Sequence, residues 1–176
     1  YGDLVRTNSQ RSGDEMEYEL LDTGVFTDNR YFDVFVEYAK GAADDILVKI
    51  SATNRGPDAA ELHLLPTLWF RNDWSQWIAA SNRAAEKPRL EQIEGAAAAS
   101  HPLLGSLVLS CDGDVPLLFT ENETNHELLF PGQKNESAHV KDGINDFVVN
   151  SRQHAVNPEK QGTKVAAHYH VNVGAG

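Results

Sequence analysis

Alternation of apolar and polar side chains with a period of two runs through most of this sequence, and it narrows the fold more than any other feature. Such a period marks half-buried β-strands. Met16, Tyr18 and Leu20 alternate with Glu15, Glu17 and Glu19, and Phe32, Val34, Val36 and Tyr38 share one face opposite Asp33 and Glu37. Lys40 to Asp45 reads as a hairpin loop, after which Ile46, Val48, Ile50 and Ala52 alternate with Lys49, Ser51 and Thr53. Asn54-Arg55-Gly56-Pro57-Asp58 reads as a turn, through a glycine tolerant of positive φ and a proline with fixed φ. Ala60, Leu62, Leu64, Leu68 and Phe70 then predict a third long strand of an antiparallel meander.

The second half is less regular. Residues 72–99 read as a long, alanine- and charge-rich excursion with a weak strand near Leu90 to Ile93. Strands are predicted at Leu104 to Cys111 and Leu117 to Thr120, separated by a tight turn at Asp112-Gly113-Asp114. Val140, Ile144, Phe147 and Val148 recur at helical spacing, with Ser137 as a candidate N-cap and Gly143 as a weakness inside the helix. A last strand places Val165, Ala167, Tyr169, Val171 and Val173 on one face and Lys164, Ala166, His168, His170 and Asn172 on the other, which faces outward or toward a partner. Closely spaced strands joined by turn chemistry favour one all-β, mainly antiparallel β-sandwich domain spanning residues 1–176, with one short helix in a long loop. The segments 72–99 and 121–158 are long for loops, and loops of that length are usually functional or pack on something.

Composition excludes several classes. A formal net charge of -11 makes nucleic acid and anionic membranes poor partners. No apolar run approaches the roughly 20 residues of a membrane span. The lone Cys111 makes no internal disulfide and no cysteine-rich zinc site, and a free thiol favours a reducing, cytoplasmic location. Phosphate-loop, dinucleotide-glycine and nucleophile-elbow motifs are absent, so no cofactor is implied. The chain opens on Tyr1 and its single methionine is Met16, so it reads as a fragment of a longer protein.

Three groups of residues could carry chemistry. The first is the stretch around Trp69, Arg71, Asn72, Trp74 and Trp77, which holds all three tryptophans. Indole faces stack on sugar rings or dock on another domain, but tryptophan also fills cores. Trp69 falls on the strand face opposite Phe70, so the two cannot both point inward. The second is Glu121-Asn122-Glu123-Thr124-Asn125. Paired carboxylates can work across a glycosidic bond, yet acids two apart on one strand stand roughly 7 Å apart and parallel, so a polar turn held by Asn and Thr is favoured. The third is His168 and His170, a spacing that suits a metal on a strand only if a further ligand such as His63 joins them. A solvated strand face or a domain contact is the simpler reading, and no metal is assigned.

Several stretches together resemble the bacterial relatives of mannosyl-oligosaccharide glucosidase, glycoside hydrolase family 63. They are Leu21-Asp22-Thr23-Gly24-Val25-Phe26, Asn29-Arg30-Tyr31-Phe32-Asp33-Val34, Asn54-Arg55-Gly56-Pro57 and Leu64-Leu65-Pro66-Thr67-Leu68-Trp69-Phe70-Arg71-Asn72. Thr120-Glu121-Asn122-Glu123-Thr124-Asn125, Val140-Lys141-Asp142-Gly143, Ala155-Val156-Asn157-Pro158 and Gly162-Thr163-Lys164-Val165-Ala166-Ala167-His168-Tyr169 fit the same family. The resemblance implies a β-sandwich of the supersandwich, galactose-mutarotase-like kind, followed in the parent protein by an (α/α)6 toroid that carries inverting hydrolysis. No catalytic residue carries over, because the matched segments contain none. The toroid would be this domain's partner, and an oligosaccharide could border it. Two other readings stay open. One is a stand-alone carbohydrate-binding module. The other is a mutarotase-like epimerase, with His168 and Glu121 or Glu123 as acid and base.

Overall fold

The computed structural model describes residues 1–74 and 86–176. Strand makes up 37% of the chain and helix 18%, and the helices are short, so the chain is all-β, mainly antiparallel and sandwich-like. It divides into two compact units, Tyr1–Leu62 with Val171–Gly176, and His63–His170.

The first unit opens with α1 (Gly2–Asn8). The strand predicted around Met16, Tyr18 and Leu20 does not form. Instead the Asn8 side chain grips the Tyr18 backbone, its amide donating to Tyr18 O at 2.9 Å and its carbonyl accepting from Tyr18 N at 2.8 Å. This side chain satisfies the backbone groups that a neighbouring strand would otherwise pair. A 3-10 turn, Leu20–Thr23, follows and ends on Gly24 at φ 69°. β1 (Phe32–Ala42) and β2 (Asp45–Asn54) form an antiparallel ribbon. The predicted loop at 40–45 is shorter, because β1 runs through Lys40 to Ala42, with an irregularity there. The following turn works differently from expectation. Gly56 is not at positive φ. Its N–H donates to Asn54 Oδ1 at 2.9 Å, while the Asn54 amide donates to Asp58 O and Val173 O, so the asparagine organises the turn.

The predicted three-strand meander is also corrected. β1 and β2 form a two-stranded sheet, and the third strand breaks at Leu65-Pro66 into β3 (Ala60–Leu64) and β4 (Thr67–Trp69). Proline cannot donate to a ladder, which explains the break. β3 pairs with β11 (Tyr169–Val173), and the division between the units falls within both strands.

The second unit contains the sandwich. Its four-stranded sheet has the order β7-β6-β5-β9, from β5 (Arg89–Ile93), β6 (Ala96–His101), β7 (Gly105–Ser110) and β9 (Gln161–Gly162). Its three-stranded sheet has the order β4-β10-β8, with β8 (Leu117–Thr120) and β10 (Lys164–Ala167). Leu90, Ala97 and Ala99 from one sheet pack against Leu117, Phe119, Val165 and Ala167 from the other, with Phe70 beside them. The alanine tract read as part of an excursion is therefore a core strand. Alanine has low strand propensity, but small side chains leave room for Phe119 across the sandwich.

The far face of the three-stranded sheet carries a helical layer. Leu118 and Ala166 pack under Ile144 of α3 (Gly143–Asn150) and under Val156. The last strand is therefore not one element with a polar outer face. It is broken at Thr163 and His168, and Ala166 is fully buried. The helix begins later than expected. Asp142 stands at its N-cap and Ser137 caps nothing in it; the Ser137 hydroxyl instead accepts from His139 N at 3.1 Å. Two further short helices, α1 and α2 (His126–Leu129), add to the one expected from the sequence.

Two glycines permit the close packing. A Cβ on Gly162 would lie 2.3 Å from Thr120 O, and one on Gly143 would lie 2.2 Å from Ala155 O. Gly143 is thus a contact point at the helix start rather than a weakness within it. Gly143→Ala should lower stability by about 1–3 kcal/mol through this overpacking. A shift of the urea unfolding midpoint would measure it, and an unchanged midpoint would show that the helix can move away freely.

Candidate functional site

Most of the second candidate group forms a built polar cluster at the end of β8. Beyond Thr120 the backbone bends at Asn122 but stays bonded: Glu121 N donates to His139 O at 2.8 Å, and Lys141 N donates to Glu123 O at 3.1 Å. This fixes Glu121 and Glu123 on one side. Lys87, ahead of β5, reaches both, with Nζ 3.1 Å from Glu121 Oε1 and 3.0 Å from Glu123 Oε1. Trp74 Nε1 donates to the same Glu123 oxygen at 2.9 Å, and the ammonium lies 6.0 Å from the centre of the indole ring. Thr163 Oγ1 donates to Glu121 Oε2 at 2.7 Å and accepts from Asn122 N at 2.8 Å. The Asn122 amide donates to Phe70 O at 2.8 Å.

The electrostatics follow from this packing. Glu123 is buried, at 6% exposure, and is compensated by an ammonium and an indole N–H. Burial pulls the Lys87 ammonium toward deprotonation. The hydrogen bond to Glu123 and the charges of Glu121 and Glu123 outweigh that, so its pKa lies above the ordinary lysine value. One cation thus holds two carboxylates. They are not free to act separately as acid and base, nor are they spread across a cleft.

The other candidates are dispersed. Trp69 stands 55% exposed on β4, opposite buried Phe70 as the alternation predicts. Arg71 is exposed and Asn72 half-buried. Trp77 lies outside the described residues. Asn125 holds local structure together. Its carbonyl accepts from Leu128 N at the start of α2, and its amide donates to Asp142 Oδ2 at 2.9 Å.

His168 and His170 come together with His63 in a stack. The ring centre of His63 lies 5.1 Å from that of His168 and 4.1 Å from that of His170, with planes within 18° of parallel. His63 Nδ1 and His168 Nε2 are 2.8 Å apart and share a proton in a hydrogen bond. The rings lie face to face, and among the described residues no group of three His, Cys, Asp or Glu side chains is arranged to hold a metal ion. His168 sits against the edge of Phe147. Burial, and then the charges of His63 and His170, lower its pKa.

A groove of about 360 Å³ lies elsewhere, lined by Gln92, Ala96, Cys111, Asp114 and Leu117 among others, and includes none of the candidate residues. Burial raises the pKa of the Cys111 thiol beside it, which keeps the thiol protonated and weakly nucleophilic. The sequence does not reveal Lys87 or Thr163. Each is a single residue far from the acids in the chain, and only the fold brings them together.

An uncharacterized protein of Saccharomyces cerevisiae, YMR196W, is 33% identical to this chain over 203 aligned residues, covering 97% of the chain and 18% of the yeast protein. The chain therefore spans about a fifth of the length of that relative. No family model matches the chain, and no solved structure matches it.

The charged groups can be tested through stability. Lys87→Met leaves two neighbouring carboxylates without their cation, one of them buried. Because the lysine is itself 44% exposed, the cost should be about 1–3 kcal/mol rather than the full value for a buried pair. The double change Lys87→Met, Glu123→Gln should recover part of it in urea unfolding; a loss as large in the double variant would show that charge is not the cause. His168 has a depressed pKa in the folded state, so the folded form binds fewer protons than the unfolded form. Stability is complete above the unfolded value of 6.5 and falls as pH drops below it. Unfolding midpoints measured between pH 7.5 and 5 should show this decline, and His168→Gln should flatten it.

Proposed function

We propose that this chain is a non-catalytic β-sandwich domain, of supersandwich type, within a longer glycoside hydrolase of the glucosidase kind. Inverting hydrolysis is carried by an (α/α)6 toroid elsewhere in the same polypeptide. The observation that carries this reading is the shared ammonium: Glu121 and Glu123, the carboxylates best placed to resemble a catalytic pair, are both tied to Lys87 and to further donors. An inverting pair stands roughly 6.5–9.5 Å apart, leaves room for a water and faces a sugar from two sides. Here the two acids converge on one nitrogen, as in a structural staple. The order of the sequence motifs and the much greater length of the yeast relative support a larger parent. Trp69 and Arg71, exposed at the end of β4, are the side chains of this domain best placed to border an oligosaccharide. The mutarotase-like alternative loses support, because His168 is bonded to His63 while the two glutamates are engaged by Lys87. The lone free Cys111 suits a reducing compartment.

The test is hydrolysis by the full-length polypeptide of gluco- and manno-oligosaccharides, with the anomer of the product followed by NMR. The expected result is inverted product, and a kcat that Glu121→Gln and Glu123→Gln change by less than about threefold while lowering thermal stability. Loss of turnover in a folded Glu123→Gln variant, with KM unchanged, would place the chemistry in this domain and sink the proposal.

A further inference from the structure

We infer that the apolar face of the β1–β2 ribbon is a docking surface for the part of the longer polypeptide that lies outside these 176 residues. The inference rests on the reading of the chain as one domain of a larger protein. The register places Val34 opposite Ala52, Val36 opposite Ile50, Tyr38 opposite Val48 and Lys40 opposite Ile46, all on one face. The opposite face is mixed: it carries Asp33, Glu37, Lys49, Ser51 and Thr53 together with Phe35, Ala39 and Leu47, and Glu37 and Lys49 are paired across the strands at 3.5 Å. The first face is the more continuously apolar of the two, as on the core side of an antiparallel sheet, whereas charged and hydroxyl side chains interrupt the second. Yet the core-type face is open. Val36 is 47% exposed, Tyr38 74%, Ile46 68% and Val48 49%. Exposure increases along the ribbon: Phe32, Ile50 and Ala52, near Asn54, are half-buried, and the residues toward the turn are bare.

Two further facts make the face an incomplete core rather than a scatter of surface hydrophobes. Among the described residues neither β1 nor β2 pairs with a third strand. A lone two-stranded ribbon of this length is marginal in water, because its single face must supply almost all the burial that holds it. A contiguous apolar stripe on one face marks an interaction site. The occupant is identified by the available chain and by charge. The yeast relative, aligned over nearly all of this sequence, has more than four-fifths of its length outside the aligned part. A second copy is the poorer occupant, since each chain carries a formal charge of -11 and copies repel. The partner surface is therefore an uncharged, apolar sheet or helix face from the same polypeptide, covering Val34, Val36, Tyr38, Ile46 and Val48.

Hydrogen exchange on the full-length polypeptide, read by mass spectrometry without substrate, tests this. Amides of residues 34–50 should exchange at least about tenfold more slowly in the wild type than in Val36→Lys, Val48→Lys, whereas Lys49→Gln on the opposite face should leave them unchanged. Rapid exchange of the ribbon in the wild-type protein would overturn the inference even if the double variant failed to fold. So would a concentration-dependent dimer that the double variant dissolves, because the face would then belong to a second copy. A protected ribbon in a protein that cleaves no glycoside would leave the docking surface standing and remove the proposed activity. An active enzyme with an exposed ribbon would do the reverse.

Discussion

The second unit depends on the close approach of Gly162 to the carbonyl of Thr120. Only a residue without a Cβ fits there, and the fit lets the chain run from β9 in the four-stranded sheet to β10 in the three-stranded sheet with a single break at Thr163. The crossing is bonded as well as packed: Thr163 N donates to Thr120 O at 3.1 Å and Phe70 N donates to Thr163 O at 3.1 Å. One residue thereby joins both layers of the sandwich to the end of β4. Its hydroxyl then bonds Glu121 and the Asn122 backbone, so the polar cluster is fixed by the same corner that joins the sheets. Strands that change sheets in this way are how sandwiches turn corners, and a small residue at the bend is their usual device.

The polar cluster limits how much charge is left uncompensated. Two acids and one ammonium would leave a net negative group in a partly dry site, but an indole N–H, a threonine hydroxyl and partial solvent exposure of the lysine spread the excess. Such clusters contribute modestly to stability when intact and cost much more when one member is removed, because the remaining charge is stranded. The histidine stack behaves in the opposite sense. Burial, and then the charges of the two neighbouring rings, lower the pKa of His168, so the His168 ring packs best when uncharged.

Much of the architecture was legible in the sequence, and the places where it was not have physical causes. The ribbon of Phe32–Ala42 and Asp45–Asn54 and the strand Leu117–Thr120 follow directly from side-chain period, since each has a strong pattern and local turn chemistry. Met16, Tyr18 and Leu20 alternate as well, but a strand needs a neighbour, and Asn8 takes that place with a side chain. The tract Ala96–Ala99 carries no periodic signal because all its residues are alike; its strand is imposed by Phe119 and Val165 across the core. Ala166 illustrates a further limit: a small apolar residue on a face otherwise occupied by lysine and histidine reads as solvated, and only the layer of α3 buries it. The candidate acids were found by residue type, but their partner Lys87 comes 34 positions before Glu121 and carries no motif.

The meeting of Trp74 and Lys87 on one oxygen of Glu123 bears on how the sequence can drift. Two side chains 13 positions apart in the sequence converge there on one buried carboxylate. Removing the ammonium or the indole N–H strands the buried carboxylate, and removing the carboxylate leaves the indole N–H without its acceptor. Relatives of this chain should therefore keep or lose the indole, the ammonium and the carboxylate as a set.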